Sequence, residues 1–100
     1  MNATPATDAV PLRDSLREAL AALLGHPLAA ADDEVSLAEI VPERYDSLGV
    51  LDAVGLVEKE FGVSVDLVVD DLRSTFFSVA AIAALVDRKR RDAAVLGLLS

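Results

Sequence analysis

The sequence predicts an all-α fold, a small four-helix bundle with a long first loop and a short third helix. Three long segments space their apolar residues at helical intervals and are bounded by capping residues. A fourth, shorter segment near residue 70 has helical character. Only 63–69 has the composition of a strand, and a lone strand has nothing to pair with. The 100 residues are 53% hydrophobic, enough for one core in one small domain.

Residues 1–8 are small and polar, contain Pro5, and are expected to form a disordered N-terminus. Neither a basic region nor an apolar stretch marks a signal peptide there. The domain itself is expected over 9–92. Its first helix is expected at about 9–24, capped by Thr7 or Asp8, with Pro11 tolerated in the first turn. Leu12, Leu16, Ala19, Leu20, Leu23 and Leu24 form the apolar face, and Gly25 supplies the C-terminal cap. A long connection follows over 25–45, punctuated by Pro27, the acidic run Asp32-Asp33-Glu34 and Pro42. Within it Ser36-Leu37-Ala38-Glu39 has the form of a capping box for a single turn. Leu37 and Ile40 would pin that turn to the core. The acidic run lacks the alternating acids and fixed glycine of a calcium loop, and reads as solvated charge.

The next helix is expected from Ser47 to about Phe61, ended by Gly62. Leu51, Val54, Val57 and Phe61 form its expected buried stripe, flanked by Leu48 and Val50. Gly55, in mid-helix, costs about 1 kcal/mol relative to alanine. It permits a tight helix crossing, the simpler reading, or leaves room for a partner or cargo. Residues 63–69 are expected to be an extended connection, and Asp70-Asp71-Leu72-Arg73 a short third helix. Ser78 caps the last helix, whose apolar face is Val79, Ile82, Ala83, Leu85 and Val86. Its basic end, Arg88 to Arg91, would complement the negative helix C-terminus. Residues 93–100 are a tail or an extension of that helix.

The net charge is −8, which repels nucleic acid and suits basic protein partners. The charge is concentrated: between Ala31 and Asp71 twelve acids face only Arg44 and Lys59. No run approaches the eighteen or so apolar residues of a membrane span, so no membrane partner is expected. The absence of cysteine removes disulfides, thiolate metal sites and cysteine nucleophiles. A cytoplasmic, monomeric protein fits these features.

One stretch carries chemistry. Asp46 is a strong N-cap, its carboxylate placed to accept bonds from the free N–H groups at 48 and 49. Ser47 is then the first helical residue. Its hydroxyl lies beside unpaired N–H groups and the positive end of the helix dipole, a place that favours phosphate. An ordinary capped helix start is the simpler alternative.

Asp46-Ser47-Leu48, the helix end Val57-Glu58-Lys59-Glu60-Phe61-Gly62-Val63, and the closing Phe77-Ser78-Val79-Ala80-Ala81-Ile82 resemble the acyl carrier proteins of fatty acid and polyketide synthesis. Order and spacing match over about residues 9–90. The resemblance implies that Ser47, flanked by Asp46 and Leu48, receives a 4′-phosphopantetheine arm from coenzyme A. The arm's thiol would hold acyl groups as thioesters. It also implies a phosphopantetheinyl transferase, an acyltransferase or acyl-ligase, and a ketosynthase or other acyl-processing enzyme as partners. Their basic patches would dock on the acids of the Ser47 helix, where Asp52 and Glu58 match, with Gly55 close to that face. The chain departs from the family pattern at Tyr45, where a glycine is common, at Gly49, where an acid is common, and at Gly55, where a bulkier apolar residue is common.

Three alternatives stand beside this. An aminoacyl or peptidyl carrier would use the same serine, although the Gly-Gly that commonly precedes it is absent. An unmodified helical interaction module would explain the acidic face but not the serine behind its cap. A serine esterase would need a base; His26 is the only histidine, it stands beside Pro27, and no Gly-x-Ser-x-Gly elbow is present. At about 100° per residue Glu58 lies roughly 20° from Ser47 around the helix and Asp52 roughly 140°. Glu58 therefore shares the serine's side and is the stronger docking candidate.

Overall fold

The computed structural model describes residues 11–99, so the expected disordered stretch at 1–8 and the Thr7 or Asp8 cap lie outside the described residues. Helix α1 spans Leu12–Leu24 and buries Leu16, Leu20 and Leu24. It begins later than the expected position 9. Pro11 is extended, with ψ 139°, and serves as N-cap, its carbonyl accepting the Ser15 N–H. The proline ring fixes φ but leaves ψ free, so the chain turns into the helix after it and not before. Gly25 ends α1 in the left-handed conformation, φ +66°, which glycine adopts at least cost.

The long connection contains a 3-10 turn, Ala30–Asp32, and a one-turn helix α2, Leu37–Ile40. Leu37 is fully buried and Ile40 packs on the core, as the sequence suggests. The capping box does not form: the Ser36 side chain makes no cap bond. Its carbonyl instead accepts the N–H groups of Glu39 and Ile40, while the Leu37 N–H reaches the Phe77 carbonyl at 2.9 Å. The Glu39 N–H that a capping box would give to the Ser36 hydroxyl goes to the Ser36 carbonyl, and the first N–H of the turn finds a distant backbone acceptor. Nor is the acidic run uniformly solvated. Asp33 is buried. Its carboxylate meets Arg17 at 2.6 Å and Arg13 at 3.6 Å, and its carbonyl accepts the Ala80 N–H at 2.9 Å. One residue thus joins α1, the loop and the last helix.

Helix α3, Ser47–Phe61, has the expected bounds because both ends are capped locally, by Asp46 and by Gly62 at φ +66°. Its buried positions are Gly49, Ala53, Val54 and Val57, with Val50 and Phe61 partly buried. Leu51, expected in the stripe, is exposed. The small residues Gly49 and Ala53 set which side faces the core, and Leu51 lies outside that arc. The expected helix crossing at Gly55 is also absent: a Cβ there would meet nothing within 4 Å.

Beyond α3 the connection 62–71 is extended and then turns, with no strand among the described residues. Helix α4, Leu72–Thr75, starts two residues later than expected, because Asp71 caps it by accepting the Arg73 N–H at 3.1 Å. Helix α5 covers Val79–Leu99, and Ser78 Oγ accepts the Ala81 N–H at 3.1 Å as its cap. Residues 93–99 therefore continue the helix. This moves Arg88–Arg91 away from the helix terminus. Lys89 and Arg88 hold the buried Asp70 at 2.8 and 3.9 Å, and Arg91 pairs with Asp87 at 3.6 Å. Arg90 donates to the Phe61 carbonyl at 3.3 Å and lies 5.8 Å over the Phe61 ring. The basic run ties α5 to the 62–71 connection through Asp70 and to the end of α3 through Phe61, and it does not sit at the helix terminus where it would complement the dipole.

Helix α1 packs on α3 and α5, and α4 packs on α5. Leu16, Leu20, Leu37, Phe76, Ile82 and Leu85 are the largest side chains of the shared core. Among the described residues no helix is long and apolar enough to cross a membrane.

The Asp70 carboxyl is held below the usual carboxylate range, chiefly by Lys89 and then by the Asp66 N–H. A lowered carboxyl stabilises the fold above its unfolded pKa of about 4 and loses that contribution as pH falls below it. Asp70→Asn should cost about 2 kcal/mol at neutral pH, less than a fully buried pair because Lys89 retains some water. Thermal melts from neutral to pH of about 2 should show the gap between wild type and variant narrowing below about 4.

Candidate functional site

The head of α3 is fixed from below. Tyr45 is buried, and its hydroxyl donates to the Phe76 carbonyl at 2.6 Å. Burial pushes its phenol above the usual value, so it remains a neutral donor. The N–H groups of Arg44 and Tyr45 both reach the Val41 carbonyl. Asp46 then leaves the loop in an extended conformation, and its Oδ1 accepts the Gly49 N–H at 2.9 Å. Of the two bonds expected at 48 and 49, the one from Gly49 is the one formed.

Gly49 is packed against the loop it has just left. A Cβ at this position would overlap the Arg44 carbonyl oxygen, a backbone atom that cannot swing aside. The glycine is therefore required by close approach, although its backbone is ordinary helix. Tyr45 before the helix and Gly49 within it each have a structural reason: the first is bonded to Phe76 and the second packs against the Arg44 carbonyl.

Above this anchor Ser47 is exposed as the first residue of the helix. Leu48, Leu51, Asp52, Gly55 and Glu58 are exposed on the same helix, and Leu48 keeps 71% of its surface in water. The residues expected for attachment and docking on this helix thus lie on its solvent side. Glu58 is not a free acid, however. Its Oε2 accepts the Val65 N–H at 2.9 Å, tying the following loop to α3. Asp52 carries no such bond among the described residues.

A cavity of about 340 Å³ opens beside Ser47, lined by Val50, Leu51, Leu72 and Arg73, with mostly apolar walls. That volume is at the lower end of the roughly 300–1,000 Å³ of small-molecule sites. Among the described residues the Arg73 guanidinium has no ion-pair partner, so a lone cation borders an apolar recess next to the hydroxyl. A larger cavity, about 560 Å³, lies between α1 and α5 around Arg13, Arg17 and Asp33, and contains none of the residues expected for attachment or docking.

His26 does not line the Ser47 cavity. It is exposed at the end of α1, and its Nδ1 lies 2.7 Å from the Pro27 carbonyl. The residues lining the Ser47 cavity are Val50, Leu51, Leu72 and Arg73, none of them a general base.

Sequence reasoning missed Tyr45, Leu51, Leu72 and Arg73 here. Tyr45 left a readable signal, since an apolar residue just before an N-cap, with Val50 four positions into the helix, is the pattern of a hydrophobic staple. Gly49 left another, because glycine in a first turn is costly unless something approaches it. Leu72 and Arg73 left none; only the fold brings α4 to the head of α3.

Comparison of the chain with protein-family models, with curated proteins and with solved structures finds no match.

Gly49→Ala should destabilise the protein by about 1–3 kcal/mol through overpacking against backbone. Tyr45→Phe should cost about 1–2 kcal/mol by leaving the Phe76 carbonyl without its donor. Urea titrations followed by circular dichroism measure both.

Proposed function

We propose that this chain is a cytoplasmic acyl carrier protein in which Ser47 bears a 4′-phosphopantetheine arm. The observation that carries the reading is the placement of Ser47: an exposed hydroxyl, first in α3 behind the Asp46 cap, beside an apolar cavity and on the solvent side of an acid-bearing helix. The resemblance of Asp46-Ser47-Leu48 and the flanking helix ends to acyl carriers supports it.

The residues present suit the arm. Nothing buries Ser47, and the helix N-terminus favours the negative phosphodiester that modification would create. In loading, the Ser47 oxygen would attack the phosphorus of coenzyme A that bears the pantetheine half. The bond to the adenosine half would break, and the serine proton would pass to the transferase. This chain needs no base of its own for that step. When bound, the arm supplies a thiol on a flexible tether, which carries acyl groups as thioesters between enzymes of fatty-acid or polyketide type.

Partners would approach from the Ser47 side. The exposed acids there act mainly on encounter rate and orientation, since each exposed charge pair contributes under about 1 kcal/mol. Glu58 has a second duty at Val65, so a charge-reversing variant would confound docking with loop release. Glu58→Gln separates the two, because the amide oxygen still accepts the Val65 N–H.

Incubation with coenzyme A and a promiscuous phosphopantetheinyl transferase should add the mass of one arm to the intact protein. Ser47→Ala should abolish that gain and leave the helical circular dichroism spectrum intact; a gain that persists in Ser47→Ala excludes this serine. Glu58→Gln should slow loading severalfold at low salt, with the difference shrinking as salt is added. Equal rates at low salt would remove Glu58 from the docking surface.

A further inference from the structure

Leu67, Val68 and Val69 form the one run of three consecutive exposed large aliphatics among the described residues, with 58, 93 and 76% of their surfaces in water. They occupy a turn, where glycine, asparagine, aspartate and serine are the usual residues. Nothing in the fold is gained by placing aliphatic side chains there. Isolated exposed hydrophobics are ordinary; a consecutive set at the tip of a turn is a feature of interaction sites.

The turn is also held rigidly. Asp66 Oδ1 accepts the N–H of Val68 at 2.8 Å and of Val69 at 3.0 Å. These bonds, Val69 first, hold the Asp66 carboxyl below its usual range, so it stays charged. Asp70 Oδ2 accepts the Asp66 N–H at 2.8 Å, and the Asp70 N–H returns to the Asp66 carbonyl at 2.8 Å. Asp70 is itself buried and held by Lys89 of α5 at 2.8 Å, while the Val65 N–H is held by Glu58 of α3. The three side chains are thus presented on a closed loop anchored to two helices. A preformed turn loses little freedom on binding.

Its position is tied to the Ser47 face. Glu58, which holds the turn's entry, is about 20° around α3 from Ser47 and about 16 Å along it. The turn's exit leads directly to Leu72 and Arg73, which line the Ser47 cavity. A partner footprint of standard size, about 800 Å², is about 16 Å in radius. A footprint centred on Ser47 therefore extends to about Glu58, the residue that holds the turn's entry.

Charge selects the partner. Residues 58–73 hold five acids and two bases, Lys59 and Arg73, and the nearby cations Arg88 and Lys89 are engaged by Asp70. A nucleic acid, an anionic lipid surface or the same face of a second copy would meet a net like charge. From the rigid apolar turn and its acidic surroundings we infer that Leu67, Val68 and Val69 are the apolar anchor by which the phosphopantetheinyl transferase docks, entering a recess bordered by Lys and Arg side chains. The inference rests on Ser47 being the attachment point, and it adds a contact outside α3.

The test is the rate of loading of Val68→Asp and Val68→Thr, with coenzyme A, a phosphopantetheinyl transferase and varied carrier concentration. Val68→Asp adds an acid to an acidic surface. If attraction of charge alone governed docking, it would load as fast as wild type or faster; an apolar anchor requires the opposite. The expected result is a KM raised about tenfold, the scale of one lost aliphatic contact, with kcat unchanged. Val68→Thr should fall between, and both melting temperatures should match wild type because the side chain is solvent-exposed. Loading of Val68→Asp at or above the wild-type kcat/KM overturns the inference and leaves the carrier reading standing. Failure of the wild type to gain the arm overturns both. Concentration-dependent dimers in sedimentation, or binding to phosphatidylcholine vesicles, that Val68→Asp removes would overturn it in favour of a second copy or a lipid surface.

Discussion

Two adjacent carbonyls, those of Phe76 and Phe77, hold the long first loop in place. The Tyr45 hydroxyl donates to the first and the Leu37 N–H to the second. A connection of some twenty residues between helices is uncommon in a compact domain, and it must find partners for its buried backbone groups. Here the short segment between α4 and α5 provides them, and it is itself anchored by the fully buried Phe76 ring. The same pair of bonds fixes where the loop delivers Asp46. The aim of Ser47 is therefore decided some thirty residues further along the chain.

The acids fall into two populations with opposite duties. Asp33 and Asp70 are buried, and between them they engage Arg13, Arg17, Arg88 and Lys89. Each joins a loop to a helix. The remaining acids of the central region stay exposed, and few cations are left to neutralise them. By drawing the positive charge to the α1 and α5 sides, the two internal clamps leave the α3 side more negative than composition alone would make it.

What could be read from the sequence was what short-range chemistry decides. The all-α class follows from periodicity, and the bounds of α3 follow from an acid at one end and a glycine at the other, each acting within four residues. Ser47 was legible for the same reason. What could not be read depends on partners distant in sequence. Ser36 has every local reason to close a capping box, yet Phe77 determines the geometry of its turn. Arg88 to Arg91 look like a helix end until α5 runs on past them and Asp70 comes into reach. Leu51 fits the apolar spacing as well as Val50 or Val54 do, and only close packing at Gly49 and Ala53 rotates it outward. The Ser47 cavity was invisible because half of its wall belongs to α4.

Seen mechanically, α3 is a beam clamped at both ends. Its head is wedged by Gly49 against the Arg44 carbonyl, and its tail is gripped where Arg90 lies over Phe61 and Glu58 holds Val65. Between the clamps Gly55 has no side chain of its own and none packed over it, and it favours the helix less than alanine would by about 1 kcal/mol. Ala53, Val54 and Val57 hold the core side of the middle turn, so Gly55 leaves only its solvent side without a packed side chain.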